Sequence, residues 1–177
     1  MTPMHSSAML AGCAAAALFL AAGPAAAEDG PDLQPAPQSA IVAGAKACLG
    51  TTVDPASQTT RLTGWAPATA DQKKSANADG DANVVFRDNV MIAFKTGADG
   101  GCAVIATADA GFDPATFYPQ VSAIVGATVQ PTDKPAPITL PNGEILVPVI
   151  SPKTATEAPK IVLVIANSAA QSAKKGN

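Results

Sequence analysis

The chain has 177 residues, of which 47% are hydrophobic, and a formal net charge of −3 at pH 7. Its lysines and arginines are scattered singly or in pairs. It therefore lacks the clustered cations that displace counterions from phosphates, and we expect no nucleic-acid partner. No apolar run after the N-terminal region is long enough to cross a bilayer, so we also expect no membrane span.

The N-terminal region is typical of a cleaved secretory signal. Residues 8–22 form an apolar run too short to span a bilayer, and Gly23-Pro24 ends it before the alanine triplet at 25–27. We predict a signal peptide at residues 1–27 and a bacterial protein that is periplasmic or secreted. Cys13 leaves an alternative open, because Leu10-Ala11-Gly12-Cys13 resembles the lipobox of lipid-anchored envelope proteins.

The mature chain begins with a proline-rich linker at residues 28–38, followed by a single domain at 39–167 and a polar tail at 168–177. Apolar residues at i, i+1, i+4, i+7 and i+8 predict a helix over residues 39–49. Ser39 is its predicted N-cap, and Gly50 is placed for a left-handed C-terminal cap. Cys48 then points inward from the last turn.

Strand patterns dominate the middle of the domain. Residues 59–65 read as an uncertain strand that adds Leu62 and Trp65 to the core, and residues 68–82 read as a polar loop. Alternation then predicts a three-stranded antiparallel meander, with Asp88-Asn89 as a tight turn, over residues 83–87, 90–95 and 102–107. In the third strand, Cys102 shares a face with Val104 and Ala106.

The last third of the domain combines a helix with a hairpin. Asp113-Pro114 resembles a helix start, but Pro119 predicts an interruption, so we expect a turn over 113–117 and a separate helix over 119–127. Asn142-Gly143 predicts a hairpin between residues 138–140 and 144–150, with Pro148 at an edge or bulge. Residues 161–166 form an apolar run typical of a central strand buried on both sides.

These elements predict an α+β fold in which two helices pack on one face of a mostly antiparallel sheet of five to six strands. Cleavage of the signal would leave two cysteines, Cys48 and Cys102, in an oxidising compartment. We predict that they form one disulfide that joins the first helix to the sheet. Two buried free thiols are the alternative.

The mature chain is poor in catalytic groups. The one histidine, His5, lies in the predicted signal, which excludes Ser-His-Asp and Cys-His catalysis and histidine-bearing zinc sites. Glutamates are few, and we expect neither enzyme activity nor a cofactor. Alternating oxygen donors could wrap Ca²⁺, but they lack the glycine and the glutamate of an EF-hand, so we predict a solvated loop and no metal. These donors are Asn77, Asp79, Asp81, Asn83 and Asp88.

We expect Trp65 and Tyr118 to belong to the core, and an exposed partner surface is the alternative for each. We expect a non-catalytic exported domain that binds a protein or an envelope component. Two rival functions are an inhibitor of a foreign hydrolase, with a protruding loop at residues 68–82 or 96–101, and a hydrolase that uses carboxylates alone.

Overall fold

The computed structural model describes residues 33–75, 82–95, 100–132, 134–151 and 158–168. Its helices are α1 (Gln38–Cys48), α2 (Gln58–Arg61), α3 (Ala70–Ser75) and α4 (Pro114–Val125), and a 3₁₀ turn (Pro55–Ser57) precedes α2. Its strands are β1 (Ala66–Pro67), β2 (Asn83–Arg87), β3 (Val90–Lys95), β4 (Gly101–Thr107), β5 (Ile138–Thr139), β6 (Glu144–Ile150) and β7 (Lys160–Asn167).

All seven strands belong to one sheet in the order β1-β2-β3-β4-β7-β6-β5, and every pairing between them is antiparallel. The predicted class, helices with a mostly antiparallel sheet and one disulfide, is confirmed. The predicted count of five to six strands is wrong, and the described residues form four helices where two were predicted. The additional strand is β1, at one edge of the sheet, which has only two residues and is too short for alternation to reveal. The strand at the other edge, β5, lies within the hairpin predicted from Asn142-Gly143.

One face of the sheet carries the main core. A row of residues crosses it from Val85 through Ile92, Val104 and Leu163 to Pro148. Helices α1 and α4 supply the apolar residues that join this core, including Ile41 and Phe117, both fully buried. Aliphatic side chains therefore make up most of the core, as expected from a chain with 4% aromatic residues.

Gly44 sets how closely α1 approaches the sheet. A Cβ at this position would lie 2.9 Å from Val104 Cγ1 and 3.2 Å from Val90 Cγ1. Any larger residue would push the helix outward, because protein cores are close-packed. The close approach places Cys48 opposite β4, where it forms the predicted disulfide with Cys102 across a Cα–Cα distance of 5.6 Å.

The ends of α1 are partly as predicted. Gly50 has the predicted left-handed backbone, with φ of +83°. The predicted N-cap is wrong, since the helix starts one residue earlier and Pro37 is its N-cap, with no side-chain hydrogen bond. Extended proline backbone is compatible with an N-cap, and the Pro37 carbonyl accepts from the backbone N–H of Ala40 and Ile41.

The strand predicted over residues 59–65 is wrong, because α2 covers its first three residues and a turn follows at residues 62–64. Gln58 and Leu62 are buried while the three residues between them are exposed, which is helical spacing rather than alternation. Part of the predicted polar loop is also helical. Thr69 and Gln72 form a reciprocal capping box at the start of α3, with N···O distances of 2.8 and 3.2 Å.

Helix α4 runs through Pro119 without the predicted interruption. Its N-terminus is as expected, since the Asp113 carboxylate accepts from the Ala115 N–H at 3.0 Å. A continuous helix buries Phe117, Val121 and Val125 on one face. That burial offsets the cost of the proline, whose side chain is exposed.

The chain just before α1 is bound to the sheet. Ala36, within the predicted linker, is fully buried and forms a parallel bridge with Ala108. Its N–H donates to the Thr107 carbonyl at 2.8 Å, and its carbonyl accepts from the Asp109 N–H at 3.0 Å. This segment fixes the position of the α1 N-terminus relative to the β2–β3 hairpin.

Candidate functional site

A cleft lies between the N-terminal half of α1 and the β2–β3 hairpin. Its volume is about 400 Å³, within the range typical of small-molecule sites. It is lined by Pro37, Ser39, Ala40, Ala43, Trp65, Arg87, Asp88 and Asn89. One aromatic side chain, small helix residues and four polar side chains thus surround a single depression.

Trp65 is both a core residue and a cleft residue. Its side chain packs against the main core cluster, and its Cη2 atom would lie 3.6 Å from a Cβ at Gly44. The same indole remains partly exposed and lines the cleft. The core alternative therefore describes part of the indole, and a partner-binding role for the rest stays a prediction.

The β2–β3 turn positions the polar rim of the cleft. Asp88 and Asn89 have φ values of +48° and +62°, the backbone of the predicted tight turn. Asn89 Nδ2 donates to the Pro35 carbonyl at 3.0 Å, which ties the turn to the chain before α1. This hydrogen bond therefore fixes the turn, which forms one wall of the cleft, relative to the start of α1, which forms the other.

The charges of the rim cancel. Arg87 Nε lies 3.2 Å from Asp88 Oδ2, and both side chains are more than half exposed. Such an exposed ion pair contributes little to stability because water screens it. The pair instead presents guanidinium donors and carboxylate acceptors side by side at the edge of the cleft.

Tyr118 lines a second, separate groove of about 410 Å³ on α4 and the segment after it. Prolines 114, 119 and 131 and Val129 make much of its surface. Burial raises the pKa of the Tyr118 phenol above its ordinary value, because it disfavours the charged phenolate. The structure thus places the two candidate surface residues, Trp65 and Tyr118, in different depressions with no lining residue in common.

Glu144 begins the second arm of the predicted hairpin, and its carboxylate is fully buried. One oxygen accepts from the Gly50 N–H at 2.7 Å and from Asn142 Nδ2 at 2.6 Å. The other accepts from the Thr52 hydroxyl at 2.6 Å and from the Thr52 N–H at 3.2 Å. The carboxylate therefore fastens the loop after α1 to the β5–β6 hairpin, a structural role that uses both of its oxygens.

The second face of the sheet is also apolar. Val84, Ala93, Ala103, Val164 and Val147 form one row across it, and Phe86, Met91, Ile105, Val162 and Val149 form the next. Exposure differs along this face, since Met91 is fully buried while Val149 is 38% exposed. An antiparallel sheet with one solvated face would carry polar residues here.

The remaining predicted sites are only partly within the described residues. Cys13, Asn77, Asp79 and Asp81 lie outside them. Asn83 starts β2 and Asp88 is in the turn that follows it. Within the described ranges, no group of three or more histidine, cysteine or acidic side chains is placed to hold a metal ion.

No helix in the described part of the chain is both long and apolar enough to cross a membrane. No family model, curated protein or solved structure matches this chain. The fold defines the class of the protein, which is an α+β domain with a seven-stranded antiparallel sheet and one disulfide in its described residues.

Proposed function

We propose that this protein is an exported, non-catalytic domain that binds a protein or an envelope component through the cleft beside Trp65. The observation that carries the proposal is the position of the indole, which is anchored in the core and still presented to solvent among polar side chains. A rigid aromatic group loses little conformational entropy on binding, which is why tryptophan is prominent in recognition surfaces.

Export is the second part of the proposal. It is supported by the disulfide between Cys48 and Cys102, since such bonds persist in oxidising compartments. Intact-mass analysis of envelope fractions tests it, and we expect a mature N-terminus at or near Glu28. A lipid-modified N-terminal Cys13 would contradict soluble export and would place the domain at a membrane surface.

The binding test uses a substitution that fills the cleft without removing core contacts. Ala43 is exposed on α1 and lines the cleft, so Ala43→Arg places a long side chain inside it. Ala123 is exposed on α4 and lines neither depression, so Ala123→Arg is the matched control. Tyr118→Ala tests the second groove.

We expect immobilised wild-type protein, Ala123→Arg and Tyr118→Ala to retain the same component from envelope extracts. Ala43→Arg should retain at least tenfold less while keeping the wild-type circular dichroism spectrum and melting temperature. Equal retention by Ala43→Arg would refute the assignment of this cleft. Loss of retention by Tyr118→Ala alone would move the site to the other groove.

A further inference from the structure

We propose that the ligand of the cleft beside Trp65 is an uncharged saccharide. The inference rests on the proposed function and names the chemistry of its ligand. Four observations support it. They are the exposed part of the Trp65 indole, the hydrogen-bond donors and acceptors on the rim, the ion pair between Arg87 and Asp88, and the sheet edge beside Trp65, which has little room for an added strand.

The indole supplies the apolar half of a sugar site. The ring system packs against the core and its Cη2 edge lies near Gly44, so the part of the indole that lines the cleft is held in a fixed orientation. Sugar rings present patches of C–H groups, which carry a small positive charge and pack on the negative face of an aromatic ring. Flexible aliphatic side chains would provide neither the flat surface nor the negative face.

The rim supplies the polar half. A hydroxyl group both donates and accepts hydrogen bonds, so its recognition needs both kinds of partner within reach. Arg87 offers donors, Asp88 offers acceptors, and Ser39 and Asn89 offer both. These side chains surround a space of about 400 Å³, which suits one or two rings of a longer saccharide.

The charge of the rim argues against an ionic ligand. Arg87 and Asp88 are the two charged side chains that line the cleft, and they are paired at 3.2 Å. A phosphate or carboxylate ligand would meet the Asp88 carboxylate, and an ammonium ligand would meet the Arg87 guanidinium. A neutral ligand with many hydroxyls avoids both repulsions.

The adjacent sheet edge argues against an extended peptide. Strand addition needs free backbone N–H and C=O groups on the outermost strand. The outermost strand beside Trp65 is β1, which has only two residues, and one of them, Pro67, has no N–H to donate. The edge of β2 behind it is already paired, because β1 aligns Ala66 with Phe86 and Pro67 with Val85. The N–H of Ala68 also donates to the Val84 carbonyl at 2.9 Å.

The test titrates the mature protein with a defined panel. The neutral probes are maltotriose, cellotriose, xylotriose and tri-N-acetylchitotriose, and the comparison probes are tri-galacturonate and trialanine. Trp65 is the one tryptophan in the chain, so its indole N–H gives a single NMR cross-peak and its fluorescence is unmixed. Ala43→Arg and Ala123→Arg are titrated in parallel.

We expect at least one neutral trisaccharide to shift the Trp65 cross-peak saturably, with a Kd at least tenfold weaker in Ala43→Arg and unchanged in Ala123→Arg. That Kd should change less than twofold between 50 and 500 mM NaCl, about the range over which charged ligands are progressively screened. Tighter binding of tri-galacturonate or trialanine than of every neutral probe would overturn the saccharide assignment.

The two proposals fail in different ways. If no neutral probe shifts Trp65 while envelope material still binds in a manner lost in Ala43→Arg, the saccharide assignment is wrong and the binding cleft stands. If a neutral probe binds Ala43→Arg as tightly as wild type, the cleft is not its site and the saccharide assignment is wrong.

Discussion

Removal of the Glu144 carboxylate should destabilise the domain more than any other single change to a charged group in the described residues. The side chain is fully buried, and four hydrogen bonds end on its two oxygens. Two of the donors are backbone N–H groups, those of Gly50 and Thr52, which cannot turn away without moving the loop. They would remain buried without an acceptor.

The size of the effect follows from those donors. A buried donor left unsatisfied costs about 1–3 kcal/mol. Two of them, together with the space left by the side chain, predict a loss of about 3–5 kcal/mol for Glu144→Ala. Glu144→Gln keeps the shape and one acceptor oxygen. It faces an amide nitrogen toward Thr52, whose hydroxyl can accept while its N–H cannot, so we expect about 2–3 kcal/mol.

Urea unfolding of the oxidised protein, followed by circular dichroism, measures both losses. Asp54→Asn is the matched control, because it removes the same charge at an exposed position near the loop and should change stability by less than about 0.5 kcal/mol. A loss below about 1 kcal/mol for Glu144→Ala would show that water replaces the carboxylate, and the loop would then not depend on it.

Reduction of the disulfide and two substitutions test other parts of the fold. Reduction of the Cys48–Cys102 bond, which closes a separation of 54 residues, should cost about 2–4 kcal/mol in urea unfolding, and two alkylatable thiols in the non-reduced mature protein would refute the bond. Gly44→Ala should destabilise by about 1–3 kcal/mol despite the better helix propensity of alanine, because its Cβ would meet Val104; a stabilised variant in thermal melts would contradict this packing. Pro119→Ala should stabilise by about 1–2 kcal/mol in thermal melts if α4 is continuous, whereas an interrupted helix predicts no gain.

Local rules predicted those elements whose own residues determine them. The left-handed glycine after α1, the tight turn at Asp88-Asn89 and the hairpin at Asn142-Gly143 all depend on backbone preferences within a few positions. The disulfide was also predictable, because the chain has two cysteines outside the predicted signal peptide and two cysteines allow one pairing. Of these features, the turn at Asp88-Asn89 sets the hairpin that forms one wall of the cleft.

Errors arose where burial outweighs a local preference. Pro119 disfavours a helix, yet burial of Phe117 and Val121 on one face keeps α4 continuous. The burial of Glu144 was also not predicted, because a glutamate beside a turn is usually solvated. Its signal was available in the alternation with Leu146 and Pro148, which places all three side chains on the core-facing side of β6.

The sheet shows why alternation alone could not identify the core. Val84 and Phe86 share a face of β2, as the pattern indicates, but the register pairs them with Ala93 and Met91, on the face opposite Ile92 and the helices. Alternation tells which residues share a face and says nothing about which face a helix covers. In this chain both faces are apolar, so the choice is made by Gly44, which lets α1 approach Val90 and Val104. The same contact brings α1 close to Trp65 and thereby forms the cleft, so the side of the sheet that α1 covers also determines where the proposed ligand binds.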